Sequence, residues 1–133
     1  NIISYLQDLT YERQGFSIKS EERKLFLDLV NELIMNGSGR LLICKDKTNQ
    51  PTAASFFIFD NQYGYYLFGA NDPDFRKYGT GTAIVIEQIN YCISKSINYV
   101  DFCGINSPSR GDFKTSFNAI PTPFFEVEWE KKV

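Results

Sequence analysis

The 133-residue sequence contains no histidine, only three cysteines and no long apolar run. The absence of histidine excludes a Ser-His-Asp triad, a histidine general base and nearly every catalytic zinc site within this chain. The cysteines, Cys44, Cys92 and Cys103, are odd in number and widely spaced, which argues against a disulfide framework or a zinc knuckle. We therefore expect reduced thiols, no metal and a cytoplasmic location.

An excess of positive charge is also missing, because 14 basic and 16 acidic side chains give a formal net charge of −2. Proteins that bind DNA usually carry a basic stripe, so we expect no DNA partner. No apolar segment approaches the roughly 18 residues that cross a membrane, and no signal peptide is visible. What is present is 43% apolar and 16% aromatic residues, which predicts one globular domain with a substantial core.

Hydrophobic periodicity predicts a helix followed by three antiparallel strands. Apolar residues at helical spacing predict a helix over 20–36, with Ser20 as its N-cap and Asn36-Gly37 at its end. Short polar turns separate the β-rich runs that follow, which favours antiparallel neighbours. The predicted strands are residues 40–45, 52–60 and 63–70.

The second half of the chain predicts a crossover unit. After a polar loop at 71–78, a helix opens at Gly79–Thr82 and ends near Lys95, and a strand follows at 97–102. A strand, a helix and a strand in this order place the last strand parallel to 63–70. The remaining predicted elements are a loop at 104–111, a helical turn at 112–118 and a half-buried strand at 124–130. The fold class is therefore α+β with a mixed sheet.

Residues 76–81 (RKYGTG) lie between a predicted strand and a predicted helix. Glycines at such a place let backbone amides approach a phosphate, and the start of a helix supplies free N–H donors. Arg76 and Lys77 can add charge-assisted contacts to a diphosphate. The alternative is a plain loop whose glycines serve only the backbone geometry.

This R-x-x-G-x-G pattern resembles the coenzyme A loop of the GNAT acyltransferases, and the order of elements is similar to theirs. Further segments, spread over about residues 11–130, resemble the GNAT-like domain of the FemAB and CelD-like acyltransferases. They are YERQG at 11–15, YYLFGAND at 65–72, DFCG at 101–104, FKTSFN at 113–118 and PTPFF at 121–125.

The resemblance implies a GNAT-like central sheet with a crossover helix and a splayed parallel pair of strands. It implies an N-acyltransferase that uses acetyl-CoA or another acyl-CoA and acts on an amine of a sugar, peptide or cell-envelope precursor. The residues that it assigns to the donor are Leu67, Phe68, Gly69, Arg76, Lys77, Gly79, Thr80, Gly81 and Thr82. Such domains usually form one lobe of a two-lobe protein, so we expect residues 1–133 to be the C-terminal lobe of a longer chain, as a monomer or homodimer.

Two other functions remain open at this stage. A Fem-type enzyme would take aminoacyl-tRNA as its donor, which is the one alternative that involves RNA. A non-catalytic lobe would only shape an acceptor site or an interface.

Four residues are candidates for catalysis or acceptor binding. Asp101 ends the strand at 97–102, where Phe102 and the apolar strand are expected to desolvate its carboxylate so that it accepts a proton from the attacking amine. Alternatively, Asp101 only caps the following loop. Glu126 is the second candidate base. Tyr65 and Lys114 are predicted to bind substrate, with sheet packing and a solvated surface as their respective alternatives. Cys103 is expected to be a buried small side chain rather than a nucleophile.

Overall fold

The computed structural model describes residues 2, 4, 5, 8, 17–105 and 108–130. These residues belong to two compact units, Asn1–Cys103 and Gly104–Val133. The elements in chain order are α1 (Ser20–Met35), β1 (Gly39–Lys45), β2 (Pro51–Phe59), β3 (Tyr63–Asn71), a 3₁₀ helix (Pro73–Tyr78), α2 (Thr80–Ser94), β4 (Tyr99–Asp101) and α3 (Pro108–Thr115). None of the helices in these ranges is long and apolar enough to cross a bilayer.

The first unit is built on a four-stranded sheet with the strand order β1-β2-β3-β4. The first three strands are antiparallel and β4 lies parallel to β3, which confirms the predicted hairpin and the predicted crossover through α2. The parallel ladder covers only Tyr63–Tyr65 opposite Tyr99–Asp101, whereas β3 continues to Asn71. The two strands thus share a short ladder and then no longer pair, which agrees with the predicted splayed pair.

Helix α1 covers one face of the sheet with its apolar stripe. Val30 is fully buried and packs against Phe56 at the centre of β2. Ala54 and Ala70 form a second buried group on the same face, because residues two apart on a strand point to the same side. The apolar period of the helix therefore places the core where the sequence predicts it.

The start of α1 differs from the prediction. Ser20 is the first helical residue, and the N-cap is Lys19, whose side chain makes no capping hydrogen bond. Glu21 and Glu22 still lie in the first turn, where carboxylates stabilise the positive end of the helix dipole. The helix ends at Met35, and its C-cap Asn36 is followed by Gly37 with φ of +79°, a conformation that favours glycine.

Helix α2 is joined to the opposite face of the sheet by a buried polar network. The Gln88 side chain is 0% exposed, and its Nε2 donates to Ser55 Oγ at 3.2 Å and to the Arg40 carbonyl at 3.1 Å. Its Oε1 accepts from Arg40 Nη1 at 3.1 Å. The guanidinium of Arg40 also lies 4.4 Å from the centroid of the Tyr91 ring. Since the buried amide is satisfied at both ends, the network fixes α2 on the sheet.

The second unit corrects two predictions. Helix α3 begins at Pro108 rather than at Asp112, so part of the predicted loop is helical. The predicted strand at 124–130 is wrong, because residues 119–130 adopt no regular secondary structure and none of them takes part in a described sheet ladder. Its large apolar side chains, Phe124, Phe125, Val127 and Trp129, are at least 80% exposed. Alternating apolar residues form a strand only where a neighbouring strand completes the hydrogen bonds.

Candidate functional site

The connection from β3 to α2 is a short 3₁₀ helix rather than the predicted polar loop. Asp72 Oδ1 accepts a hydrogen bond from the Asp74 N–H at 3.0 Å, and Pro73 opens the first turn. Gly79 closes the 3₁₀ helix with φ of +69° and is also the N-cap of α2. The sequence needs glycine at this position because other residues rarely adopt that conformation.

The first turn of α2 leaves backbone donors without acceptors. The first hydrogen bond of the helix runs from the Ala83 N–H to the Gly79 carbonyl at 2.9 Å. The N–H groups of Thr80, Gly81 and Thr82 have no acceptor among the described residues, and Gly79 has no side chain to cap them. The turn contains no acidic residue, so the positive end of the helix dipole is uncompensated.

Two cations and open space adjoin these donors. Arg76 and Lys77 occupy the last turn of the 3₁₀ helix and are exposed. Neither forms an ion pair with a residue in the described ranges. Apart from its neighbours in the chain, no described residue has an atom within 4 Å of the position that a Cβ at Gly79 would take. The Lys77 ammonium lies 5.0 Å from the centroid of the Tyr78 ring. Free N–H groups, two cations without ion-pair partners in the described ranges and an unobstructed approach favour phosphate binding at the start of a helix.

Asn71, the last residue of β3, holds the start of α2 in place. Its Oδ1 accepts a hydrogen bond from Thr80 Oγ1 at 3.1 Å. A Cβ at Gly81 would lie 2.8 Å from Asn71 Nδ2, so glycine leaves the space that this amide fills. The sequence analysis missed Asn71, since nothing in the local pattern indicates a partner nine residues further along the chain.

A β-bulge interrupts β3 where it separates from β4. Phe56 pairs with Phe68 and Phe57 pairs with Tyr66, so Leu67 is the extra residue. Leu67 is 42% exposed and has no ladder partner on either side in the described part of the chain. The predicted donor segment at 67–69 therefore begins with a backbone unit that is free of the sheet ladders.

The other two residues of that segment have structural side-chain roles. Phe68 packs into the core with its ring centroid 5.4 Å from that of Phe26. A Cβ at Gly69 would overlap the hydroxyl group of Tyr66. Burial raises the pKa of Tyr66 to about 12, so this phenol is protonated at neutral pH and does not act as a base there.

Asp101 ends β4 and has the loop-capping contact that the sequence offered as its alternative role. Its Oδ1 accepts a hydrogen bond from the Cys103 N–H at 2.6 Å. The expected desolvation is wrong, because Phe102 is buried but the Asp101 carboxylate is exposed. The expected burial of Cys103 is also wrong, since this residue is exposed and has φ of +57°.

Tyr65 is tied to a carboxylate that the sequence analysis missed. Its hydroxyl group donates to Asp60 Oδ2 at 2.9 Å, and this hydrogen bond raises the pKa of Tyr65. Asp60 Oδ1 accepts the backbone N–H groups of Gln62 and Tyr63, each at 2.7 Å, and these hydrogen bonds lower the pKa of Asp60. Asp60 is therefore ionised at neutral pH.

The remaining two candidates lie in the second unit. Lys114 Nζ donates to the Gly104 carbonyl at 2.6 Å, so the lysine is bound within its own unit. Glu126 is exposed in the irregular segment 119–130. No group of three or more Cys, Asp or Glu side chains in the described ranges is arranged to hold a metal ion.

Residues 3–115 match the acetyltransferase (GNAT) domain family. The chain belongs to the GNAT acetyltransferase family. This assignment confirms the predicted fold family and enzyme class, and acetyl-CoA is the donor that GNAT acetyltransferases use. No curated protein matches the chain.

Solved GNAT structures resemble this domain over nearly its whole length. A predicted acetyltransferase from Clostridium acetobutylicum, solved with acetyl-CoA, has a TM-score of 0.73 at 17% identity, covering 92% of this chain and 91% of that one. The aminoglycoside 6′-N-acetyltransferase from Acinetobacter baumannii has a TM-score of 0.66 at 11% identity, and the match covers 100% of this chain and 95% of that one. Glucosamine-6-phosphate N-acetyltransferase from Arabidopsis thaliana has a TM-score of 0.67 at 13% identity, and the match covers 98% of this chain and 95% of that one. At these identities the likeness shows a shared fold.

Proposed function

We propose that this GNAT domain transfers an acetyl group from acetyl-CoA to an amine of a sugar, peptide or cell-envelope precursor. The observation that carries the donor assignment is the uncapped start of α2 beside two exposed cations that form no ion pair in the described ranges. The free N–H groups of residues 80–82 bind the diphosphate of the donor, and Arg76 and Lys77 add charge-assisted contacts. Gly79 leaves this approach open.

The bulge at Leu67 is our candidate for the electrostatic part of catalysis. Direct attack by an amine forms a C–N bond, breaks the C–S bond of the thioester and leaves a thiolate that takes up a proton. Negative charge develops on the thioester oxygen during the attack, and a preorganised backbone N–H stabilises it. Leu67 offers a backbone unit outside the ladders, at the place where β3 and β4 cease to pair.

We expect Asp101→Asn to lower kcat/KM for an identified acceptor by about 100-fold or more if Asp101 takes the proton from the amine. The amide oxygen still accepts the Cys103 N–H, so the loop contact is kept while the base is lost. The measurement is kcat/KM between pH 6 and 9, with circular dichroism to verify folding. Asp46→Asn is the matched control, because Asp46 Oδ1 likewise accepts backbone N–H groups in a turn. Full turnover in a folded Asp101→Asn variant makes Asp101 structural and moves the search to Glu126.

We also propose a family branch, an assembly state and a location for this domain. The segments at 65–72 and 101–104 support the FemAB or CelD-like branch, in which this domain is one lobe of a longer protein and acts as a monomer or homodimer. An aminoacyl-tRNA donor is the alternative within that branch. The three free thiols support a cytoplasmic location.

Isothermal titration of the protein with acetyl-CoA tests the donor assignment. We expect a dissociation constant below about 1 mM, in the range of ordinary enzyme substrates. Pantetheine, which lacks the diphosphate, is the control ligand and is expected to bind much more weakly. No acetyl-CoA binding at millimolar concentration in the folded protein contradicts the proposal. A panel of amino sugars and peptides with acetyl-CoA then identifies the acceptor class.

A further inference from the structure

Three tyrosine rings form a stack along the β3–β4 pair. Tyr63 is the middle ring, with its centroid 5.8 Å from that of Tyr65 and 5.0 Å from that of Tyr99. The interplanar angles are 21° and 24°, so the three rings are close to parallel. Tyr99 ends the stack and is 57% exposed. We call these three rings the tyrosine stack.

The β2–β3 turn brings Asp60 to the same corner of the sheet. Asp60 Oδ2 accepts the Tyr65 hydroxyl hydrogen bond, and the Asp60 N–H donates to the Tyr63 carbonyl at 3.0 Å. The Tyr99 N–H donates to the Gln62 carbonyl of this turn at 3.1 Å. The carboxylate and the tyrosine stack therefore belong to one hydrogen-bonded corner.

The charge at this corner is uncompensated. Asp60 and Asp101 are both exposed, and neither forms an ion pair with a lysine or arginine in the described ranges. Asp101 lies directly opposite Tyr65 in the parallel ladder. Both carboxylates act on the Tyr65 phenol, and their negative charge contributes to raising its pKa.

An exposed aromatic face beside exposed carboxylates that form no ion pair in the described ranges is a surface that attracts cations. The face of a tyrosine ring attracts an ammonium group, and a nearby carboxylate adds Coulombic attraction and a hydrogen-bond acceptor. The same negative charge repels a phosphate. An acceptor that meets this corner is therefore selected for positive charge beyond its reacting amine, because the reacting amine must be neutral when it attacks.

We propose that the tyrosine stack and Asp60 form a subsite for a second ammonium group of the acceptor, so that the acceptor is a di- or polyamine. The proposal rests on the proposed acetyl transfer to an amine and narrows its substrate class. It disfavours phosphorylated acceptors. Tyr99, at the end of the stack, supplies the ring face, Tyr63 stacks behind it, and Asp60 supplies the countercharge.

The test measures binding of four probes to the folded protein by isothermal titration at low salt. The probes are 1,5-diaminopentane, the multi-amino sugar neamine, glucosamine as the monoamine and glucosamine 6-phosphate. We expect at least one polyamine to bind about tenfold more tightly than glucosamine, with the advantage much reduced at 0.5 M NaCl. Preference for the aliphatic probe or for neamine identifies which kind of polyamine is bound. Equal affinity for glucosamine and both polyamines overturns the proposal.

Matched variants test which residues cause the preference for polyamines. Asp60→Asn keeps an oxygen for the Gln62 and Tyr63 N–H groups and is expected to weaken polyamine binding roughly fivefold. Tyr99→Ala is expected to weaken it roughly threefold, whereas Tyr99→Phe keeps the ring and the affinity. Asp46→Asn removes one charge from the equivalent turn between β1 and β2 and should have no effect. A loss with Asp46→Asn as large as that with Asp60→Asn overturns the subsite.

Acetyl-CoA titration of the same proteins separates the two proposals. If acetyl-CoA binds and the polyamine preference is missing, the subsite is wrong and the proposed function stands. If the polyamines bind through Asp60 and acetyl-CoA does not bind, the subsite stands as a polyamine site and the proposed function is wrong.

Discussion

The double variant Arg76→Ala/Lys77→Ala is expected to bind acetyl-CoA about 100-fold more weakly than the wild-type protein. A hydrogen bond to a charged group contributes about 1.5–3 kcal/mol. Both side chains are exposed, so we take the lower end for each, and the sum of about 3 kcal/mol corresponds to roughly 100-fold. Isothermal titration at 50 and 300 mM NaCl measures the change, and the wild-type affinity should fall more steeply with salt than that of the variant.

Lys47→Ala is the control for this pair, because Lys47 is an exposed lysine in the turn between β1 and β2. It removes one positive charge from the domain without touching the 3₁₀ helix. An unchanged affinity in the double variant, or an equal loss in Lys47→Ala, means that the cations of the 3₁₀ helix do not contact the donor. In that case the free N–H groups of α2 would have to bind the diphosphate alone.

Phe56→Ala is expected to lower the free energy of unfolding by about 3–5 kcal/mol, the cost of removing a large side chain from a packed core. Phe56 is 0% exposed and packs against Val30 in the core between α1 and the sheet. Urea denaturation followed by circular dichroism measures the change. Since whole domains are stable by only about 5–15 kcal/mol, Phe56→Leu is a milder variant that still reports on the same contacts.

Phe125→Ala is the comparison that makes this result specific. Phe125 is 85% exposed in the irregular segment 119–130, so its truncation should change the free energy of unfolding by no more than about 0.5 kcal/mol. A loss of similar size in both variants contradicts the assignment of Phe56 to the core and Phe125 to the surface.

The parts of the fold that local pattern determines were predictable from the sequence. Helix α1 and the strands at 40–45, 52–60 and 63–70 follow from apolar periodicity and short polar turns. The parallel pairing of β4 follows from the general handedness and order of crossover units. The segment at 124–130 has an equally clear alternation, yet it is irregular, because alternation does not supply a neighbouring strand.

In the candidate site, too, the features that depend on local sequence were predictable, and those that depend on contacts between distant residues were not. The start of α2 near Gly79 was predictable, because glycines before an apolar helical period are visible in one local window, whereas the 3₁₀ helix before it was not predicted. Asn71, Asp60 and the Gln88 network were missed, since their partners are fixed by the fold and not by spacing. The bulge at Leu67 was invisible for a similar reason, as it exists only in the register between two strands.

The extra residue at Leu67 has a consequence for how β3 can vary. Residues that lie opposite each other in a ladder point to the same side of the sheet. Tyr65 is opposite Ile58 and Phe68 is opposite Phe56, so Tyr65 and Phe68 share a sheet face. In a strand without a bulge, residues three positions apart would point to opposite faces. The alternation of side chains between the two sheet faces is thus shifted by one residue at Leu67. Substitutions before the bulge can change the tyrosine face without changing which residues after it face the core. Deleting Leu67 would remove the bulge and make Tyr66 and Phe68 consecutive ladder positions, so the side-chain faces would be kept and only the unpaired backbone unit would be lost.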